Sequence, residues 1–146
     1  MAHNTDNGHL YAICQIRSNN YLGRYNSGYY GANSDPKPLS VLVLAYNYLG
    51  GERDWFQILG YPDKDLTYRS SGVYRGNLVI SGESYSGKYS VNIEASFYNI
   101  ETETGYIKAQ QVIGGSKDLN LYDMALNHTG ILLFLRFRGL FVVFIK

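Results

Sequence analysis

The sequence predicts an all-β fold: a single-domain antiparallel β-sandwich, with a compact β-barrel or trefoil-like arrangement as the alternative and at most one short helix near 118–127. Three observations carry this expectation. From Tyr89 to Tyr98, apolar and polar residues alternate without interruption: Tyr89, Val91, Ile93, Ala95 and Phe97 against Ser90, Asn92, Glu94, Ser96 and Tyr98. Successive side chains of a strand point to opposite faces, so the pattern describes a strand with one buried and one wet side; a helix would scatter the five apolar groups. Short apolar runs recur along the chain, separated by clusters of Gly, Pro, Asn and Ser that punctuate strands with turns. Helical periodicity is nearly absent, and the one rough stripe, DLNLYDMALN over 118–127, is short and poorly capped.

Taken in order, residues 1–8 are expected to be a flexible polar lead and 9–146 a single β domain. Leu10 to Arg17 reads as the first strand, with Leu10, Ala12, Cys14 and Ile16 on the inward parity. Ser18 to Pro38 is rich in Asn, Gly, Ser and Tyr and reads as a hairpin followed by a loop, Gly31 to Pro38. Pro36 and Pro38 lack the donor an inner strand needs. Leu39 to Tyr46 is apolar on both parities, as in a central strand covered on both sides. Gly50-Gly51 turns the chain, Trp55 to Leu59 is a short strand, and Gly60 to Asp65 is a turn cluster. Leu78-Val79-Ile80, the loop Ser81 to Gly87, the alternating strand, the loop Glu101 to Gly105 and Tyr106 to Ile113 form an antiparallel meander. After the break Gly114-Gly115-Ser116 and the helical stripe, Ile131 to Phe137 and Leu140 to Ile145 make a hairpin around Arg138-Gly139. Asn-Tyr-Leu-Gly occurs at Asn20 and Asn47, and Ser-Gly-x-Tyr at Ser27, Ser71 and Ser86. Their spacing is irregular, so they mark turns handing over to strands and not a repeat architecture.

Composition narrows the function. A chain of 146 residues with 45% hydrophobic and 17% charged residues suits a domain with a real core. A net charge of +1, with 13 dispersed Lys and Arg, gives no basic stripe, so no nucleic-acid partner is expected. The lone Cys14 excludes an internal disulfide, and on an inward strand parity it reads as an inert filler. The polar N-terminus shows no signal peptide, from which a cytoplasmic location or leaderless secretion is expected. The apolar C-terminus is too short to span a membrane and carries Arg136 and Arg138 in its middle. Asn127-His128-Thr129 matches a glycosylation acceptor, but without a leader the match carries little weight.

Catalytic patterns are sparse. His3, His9 and His128 are the only histidines, and no nucleophile elbow, phosphate-cradling loop or dinucleotide fingerprint occurs. Asp54, Glu83 and Glu94 are the acids from which a glycosidase pair would be drawn. No cofactor is expected. Met1-Ala2-His3 has the spacing of a copper or nickel chelate, which removal of Met1 would break, and the oxygen ligands Asp63, Asp65, Asp118, Asn120 and Asp123 suit calcium without forming a dedicated loop.

What the chain does have is 15 Tyr beside 16 Gly and many Ser and Asn, a vocabulary of stiff amphipathic plates and adaptable hydrogen bonds. Two candidate binding surfaces follow: the loop holding Tyr29, Tyr30, Asn33 and Asp35, and the segment Arg53-Asp54-Trp55 after the Gly-Gly turn. The expected function is non-enzymatic, lectin-like carbohydrate recognition, with Trp55 either a sugar-stacking plate or a core anchor. The alternative is a structural or protein-interaction subunit (an assembly, appendage or toxin component) that self-associates through the apolar C-terminal hairpin. The expected partners are a glycan or protein ligand and further copies of the chain in a homo-oligomer.

Overall fold

The computed structural model describes residues 2–4, 8–17, 38–61, 64–86, 93–116, 119–127, 130–137 and 140–145, with side chains described over 8–17, 38–61, 64–84 and 93–113. Among these residues there are strands and turns and no helix. The first sheet is a meander of β1 (Ala2–Asn4), β2 (His9–Ile16), β3 (Ser40–Asn47) and β4 (Arg53–Leu59). A second meander follows in β5 (Lys64–Tyr74), β6 (Asn77–Ser86), β7 (Ile93–Glu101) and β8 (Ile107–Ser116). The third sheet contains β9 (Leu119–Asn127), β10 (Gly130–Phe137) and β11 (Leu140–Ile145), in the order β11-β10-β9. Every pairing is antiparallel, and none of these sheets closes on itself, so the fold is a β-sandwich and neither a barrel nor a trefoil.

The first and second sheets face one another across one core. Tyr11, Val41, Val43, Ala45, Trp55 and Leu59 enter it from the first sheet; Leu66, Leu78, Ile80, Tyr98 and Ile100 enter from the second. At one end, Gln15 Nε2 donates to Leu66 O at 2.5 Å, Leu66 N to Leu39 O at 2.9 Å, and Leu39 N to Asp65 Oδ1 at 2.6 Å. Asp65, an acid that calcium would have suited, is thus engaged in joining the sheets. At the other end the junction is Trp55, whose Nε1 donates to Thr102 O at 2.9 Å. Thr102 in turn donates from its N and Oγ1 to Gly76 O, at 3.1 and 2.9 Å.

Four features differ from the expectations. On β2 the inward residues are His9, Tyr11 and Ile13, while Cys14 is exposed. Both parities of this strand are apolar, so alternation alone could not choose, and the larger Tyr11 takes the core. The segment 81–86 is strand and not loop: it completes β6. Its polar groups have partners there, Ser84 Oγ with Ser96 Oγ at 3.1 Å, Ser81 Oγ to Ser70 O at 3.2 Å, and Arg69 Nε to Glu83 at 2.9 Å. Gly82 has a packing reason, since a Cβ there would lie 2.7 Å from Thr67 O on β5.

Over residues 95–98 the alternating strand has no wet face. Ser96 and Tyr98 are as buried as Ala95 and Phe97, because the Tyr98 parity faces the first sheet while the other side is covered as well, with β9 running against β5, β6 and β7. Finally, 119–127 is β9 and not a helix. Ten residues make a marginal helix, whereas pairing with β10 satisfies the same backbone groups in a sheet. Three further differences accompany these: Ala2–Asn4, within the expected lead, pairs with β2; β8 runs through the Gly114-Gly115-Ser116 break; and Lys64–Tyr74 is one strand, β5, that takes in Asp65 of the expected turn cluster and Ser71-Gly72, expected as a turn. The central strand 39–46 buries Val41, Val43 and Ala45 fully but leaves Leu42 and Leu44 half-buried. The C-terminal hairpin forms with Ile131 opposite Ile145 and Arg136 opposite Leu140. The hairpin expected within Ser18 to Pro38 lies outside the described residues.

The Trp55 junction generates a prediction. Gly105 has φ +74°, and a Cβ on it would come within 2.7 Å of Trp55 Cδ2 and Cε3. Gly105→Ala is therefore expected to lose about 2–4 kcal/mol, combining left-handed strain with overpacking. Gly51→Ala, at φ +69° with nothing within 4 Å, is expected to lose only the backbone part, about 1 kcal/mol. Denaturant unfolding followed by the fluorescence of the single Trp measures both, and equal losses would disprove the packing account.

Candidate functional site: the turn end of the sandwich

The meander topology brings the β3–β4, β5–β6 and β7–β8 turns, together with Gly8 before β2, to the end of the sandwich marked by Trp55 and Thr102. Each turn is built by its own local chemistry. In the β3–β4 turn, Asn47 Oδ1 accepts from Leu49 N at 3.0 Å and Gly50 N at 3.3 Å, and Gly51 N donates to Asn47 O at 2.7 Å. An Asn side chain mimicking a backbone turn leaves the next two side chains pointing outward. Tyr48 is 53% and Leu49 81% exposed. Tyr48 N donates to Gly8 O at 3.1 Å, and its ring lies where a Gly8 side chain would stand.

The β7–β8 turn is equally braced. Gly105 N donates to Glu101 O at 3.0 Å, Thr104 Oγ1 to Glu101 Oε2 at 2.6 Å, and Tyr106 N to Thr104 Oγ1 at 3.2 Å. The Thr104 hydroxyl, and after it the Lys108 ammonium at 3.1 Å, hold the Glu101 carboxyl below the usual carboxylate range. Tyr106 stands on this frame 67% exposed. The β5–β6 turn has φ > 0 at Arg75 (46°) and Gly76 (70°), as a two-residue hairpin requires, and Asn77 Nδ2 donates to Arg75 O at 2.8 Å.

A register shift between Ala45 and Tyr46 leaves Asp54 as an extra residue of β4. Its Oδ2 meets His9 Nε2 at 2.5 Å, spanning from β4 to β2 across β3. The His9, Tyr11 and Trp55 rings follow one another inward, with centroids 6.0 and 5.7 Å apart. Arg53 lies outside, its guanidinium 5.3 Å from the Phe56 ring centroid.

Of the residues singled out from sequence, Arg53 and Asp54 are exposed at this end. Trp55 is 9% exposed and serves as the core anchor, with no face open for stacking. Tyr29, Tyr30, Asn33 and Asp35 lie outside the described residues. Sequence reading missed Tyr48, Leu49, Tyr106 and His9. The signal for the first three was present, because each adjoins a Gly or Asn that makes a turn. The three acids considered for glycoside hydrolysis do not converge: Asp54 meets His9, Glu94 pairs with Lys64, and Glu83 pairs with Arg69 from the opposite face of the second sheet. No group of three or more His, Cys, Asp or Glu fit to hold a metal occurs among the described residues. The side chains of Asp63, Asp118, Asn120 and Asp123 are not among those described.

Compared with known proteins, the chain matches no family model, no curated protein and no solved structure. No helix among the described residues is long and apolar enough to cross a membrane.

Away from the turn end, a polar chain runs across the second sheet to Tyr61. Lys64 meets Glu94, Ser84 Oγ reaches Glu94 at 3.4 Å, Ser96 Oγ bonds Tyr61 OH at 2.8 Å, and Gln110 Nε2 donates to the hydroxyls of Tyr61 and Tyr98 at 2.9 and 3.2 Å. Burial, and then Tyr61 beside it, pushes the Tyr98 phenol far above its usual range. A raised native pKa keeps its stabilisation below the unfolded value of about 10 and loses it as pH rises beyond that. Stability is therefore expected to fall above pH about 10, less steeply in Tyr98→Phe. Absorbance titration of tyrosinate with parallel denaturation checks this, and an identical slope in the variant would refute it.

Proposed function

We propose that the protein is a non-enzymatic recognition module that binds carbohydrate through the turn end of its sandwich. The observation that carries this reading is the pair of exposed rings, Tyr48 and Tyr106, carried on hydrogen-bonded turns at the end that also exposes Arg53 and Asp54. A phenol ring offers its face to the C–H side of a sugar and its hydroxyl to water or to a ligand oxygen. Charged and amide groups nearby complete hydroxyl recognition. The turns hold the backbone of both residues through hydrogen bonds, so little backbone ordering remains to oppose binding. Trp55 supports the site from beneath and does not touch the ligand.

A glycan array at neutral pH, run with and without calcium, is expected to show binding. Tyr48→Ala and Tyr106→Ala are each expected to weaken it by about 1–2 kcal/mol, roughly five- to thirtyfold, at unchanged melting temperature. Absence of binding in both conditions, or binding indifferent to both substitutions, would sink the reading.

One feature favours a second reading, a self-associating structural subunit. β11 ends the third sheet, and the sequences of β10 and β11 are apolar on both parities, which suits strands covered on both faces. Removing 138–146 is expected, on that reading, to leave a folded chain of smaller particle size by light scattering; an unfolded product would assign the hairpin to the core instead.

A further inference from the structure

The second sheet ends on β8, and the middle of that strand is open on both parities. Lys108, Ala109, Gln110, Gln111 and Val112 are all exposed, Val112 at 46%. Among the described strands β8 pairs with β7 alone. Among the described residues, one side of its backbone therefore has no strand partner for its row of N–H and C=O groups, a template for another strand. The other edges with described side chains or short spans are guarded. β4 opens with Arg53-Asp54 and has Gly105 beside it through Gln57 Nε2, at 2.9 Å. β1 is 3 residues long, and β5 is packed by β1, β3 and β9. Over Ala109–Ile113, β8 carries no charge and no proline, and among the described strands only β7 pairs with it.

Its geometry is also regular where the exposure lies. The register shifts of the β7–β8 ladder fall at its two ends, beside Ile107 and beside Gly114 to Ser116, leaving Ala109 to Ile113 as an uninterrupted run centred on Gln111. Antiparallel pairing of a strand with itself about a two-fold axis normal to the sheet places residues of like parity opposite one another. Centred on Gln111, that register sets Gln111 against the partner's Gln111, Gln110 against the partner's Val112, and Ala109 against the partner's Ile113. The one cation, Lys108, which is already paired with Glu101 at 3.1 Å, falls opposite the partner's Gly114. No like charges are opposed.

The geometry points to a homodimer made by edge-to-edge pairing of β8 with β8 of a second copy, two-fold about Gln111, joining the two second sheets into one continuous sheet. The antiparallel relation sends the two turn ends in opposite directions, so the dimer has two ligand-facing ends that bridge separate surfaces. The pairing itself does not depend on what the turn end binds. An edge contact of this size is small, and the dimer forms weakly and in a concentration-dependent way.

Sedimentation of the full chain across concentrations up to about 1 mM tests this. The wild type is expected to dimerise. Gln111→Lys and Gln111→Glu, each placing like charges across the axis at an exposed position, are expected to raise the dissociation constant about tenfold or more with melting temperature unchanged. An equimolar mixture of the two variants is expected to pair again, as a heterodimer. A wild type that stays monomeric throughout overturns the proposal. So does a dimer that survives Gln111→Lys, as copies meeting through β10 and β11 would. A mixture that pairs no better than its components overturns the two-fold register.

Discussion

The hydrogen bond from the Trp55 indole to Thr102 O, with Gly105 beneath the ring, is the contact on which the arrangement of the two main sheets depends. Two sheets joined only by apolar contact could slide, because the hydrophobic effect has no direction. A buried N–H must find its acceptor, and here the acceptor lies in the turn of the opposite sheet. The ring then sits against Tyr11 and leaves no room for a Cβ at residue 105. Because Thr102 is itself bonded to Gly76, one indole registers the β3–β4 edge against two turns of the second sheet. That is what gathers Tyr48, Tyr106, Arg53 and Arg75 at a common end.

The second constraint is the polar content of the central sheet. Ser81, Glu83, Ser84 and Ser96 are buried in it. Each would be a liability in an apolar layer, and each is bonded to a neighbour, Glu83 to Arg69 and the serines to one another or to backbone. These bonds contribute register more than net stability, since a one-residue slip would leave buried polar atoms without partners. The same logic explains why acids that look catalytic when counted along the chain are occupied once it folds.

The all-β class, the C-terminal hairpin and most turns were legible because each rests on local rules, the period of two and the conformational preferences of Gly and Asn. Reading failed where local rules are degenerate. On β2 both parities are apolar, from Leu10 and Tyr11 through Ala12 and Ile13 to Cys14, so the strand was evident and its inward face was not. Ser81 to Ser86 resembles a loop because three serines and Gly82 dominate it; pairing with β5 and β7, the latter beyond the next turn, makes it a strand. The stripe over 118–127 has a helical pattern that pairing with β10 overrides. At the candidate site, Arg53 and Asp54 were legible as turn-flanking charges, whereas His9 joined Asp54 only through a ladder that crosses β3.

By itself the sequence determined that this is a sheet protein with little net charge and aromatic turns, because alternation, composition and turn chemistry are properties of neighbouring residues. Tertiary structure decided which faces are buried, that Trp55 anchors the core and does not stand open to a ligand, and which acids are paired with cations. Those outcomes depend on groups far apart in the chain, and only the packing of one sheet on another brings such groups within hydrogen-bonding distance.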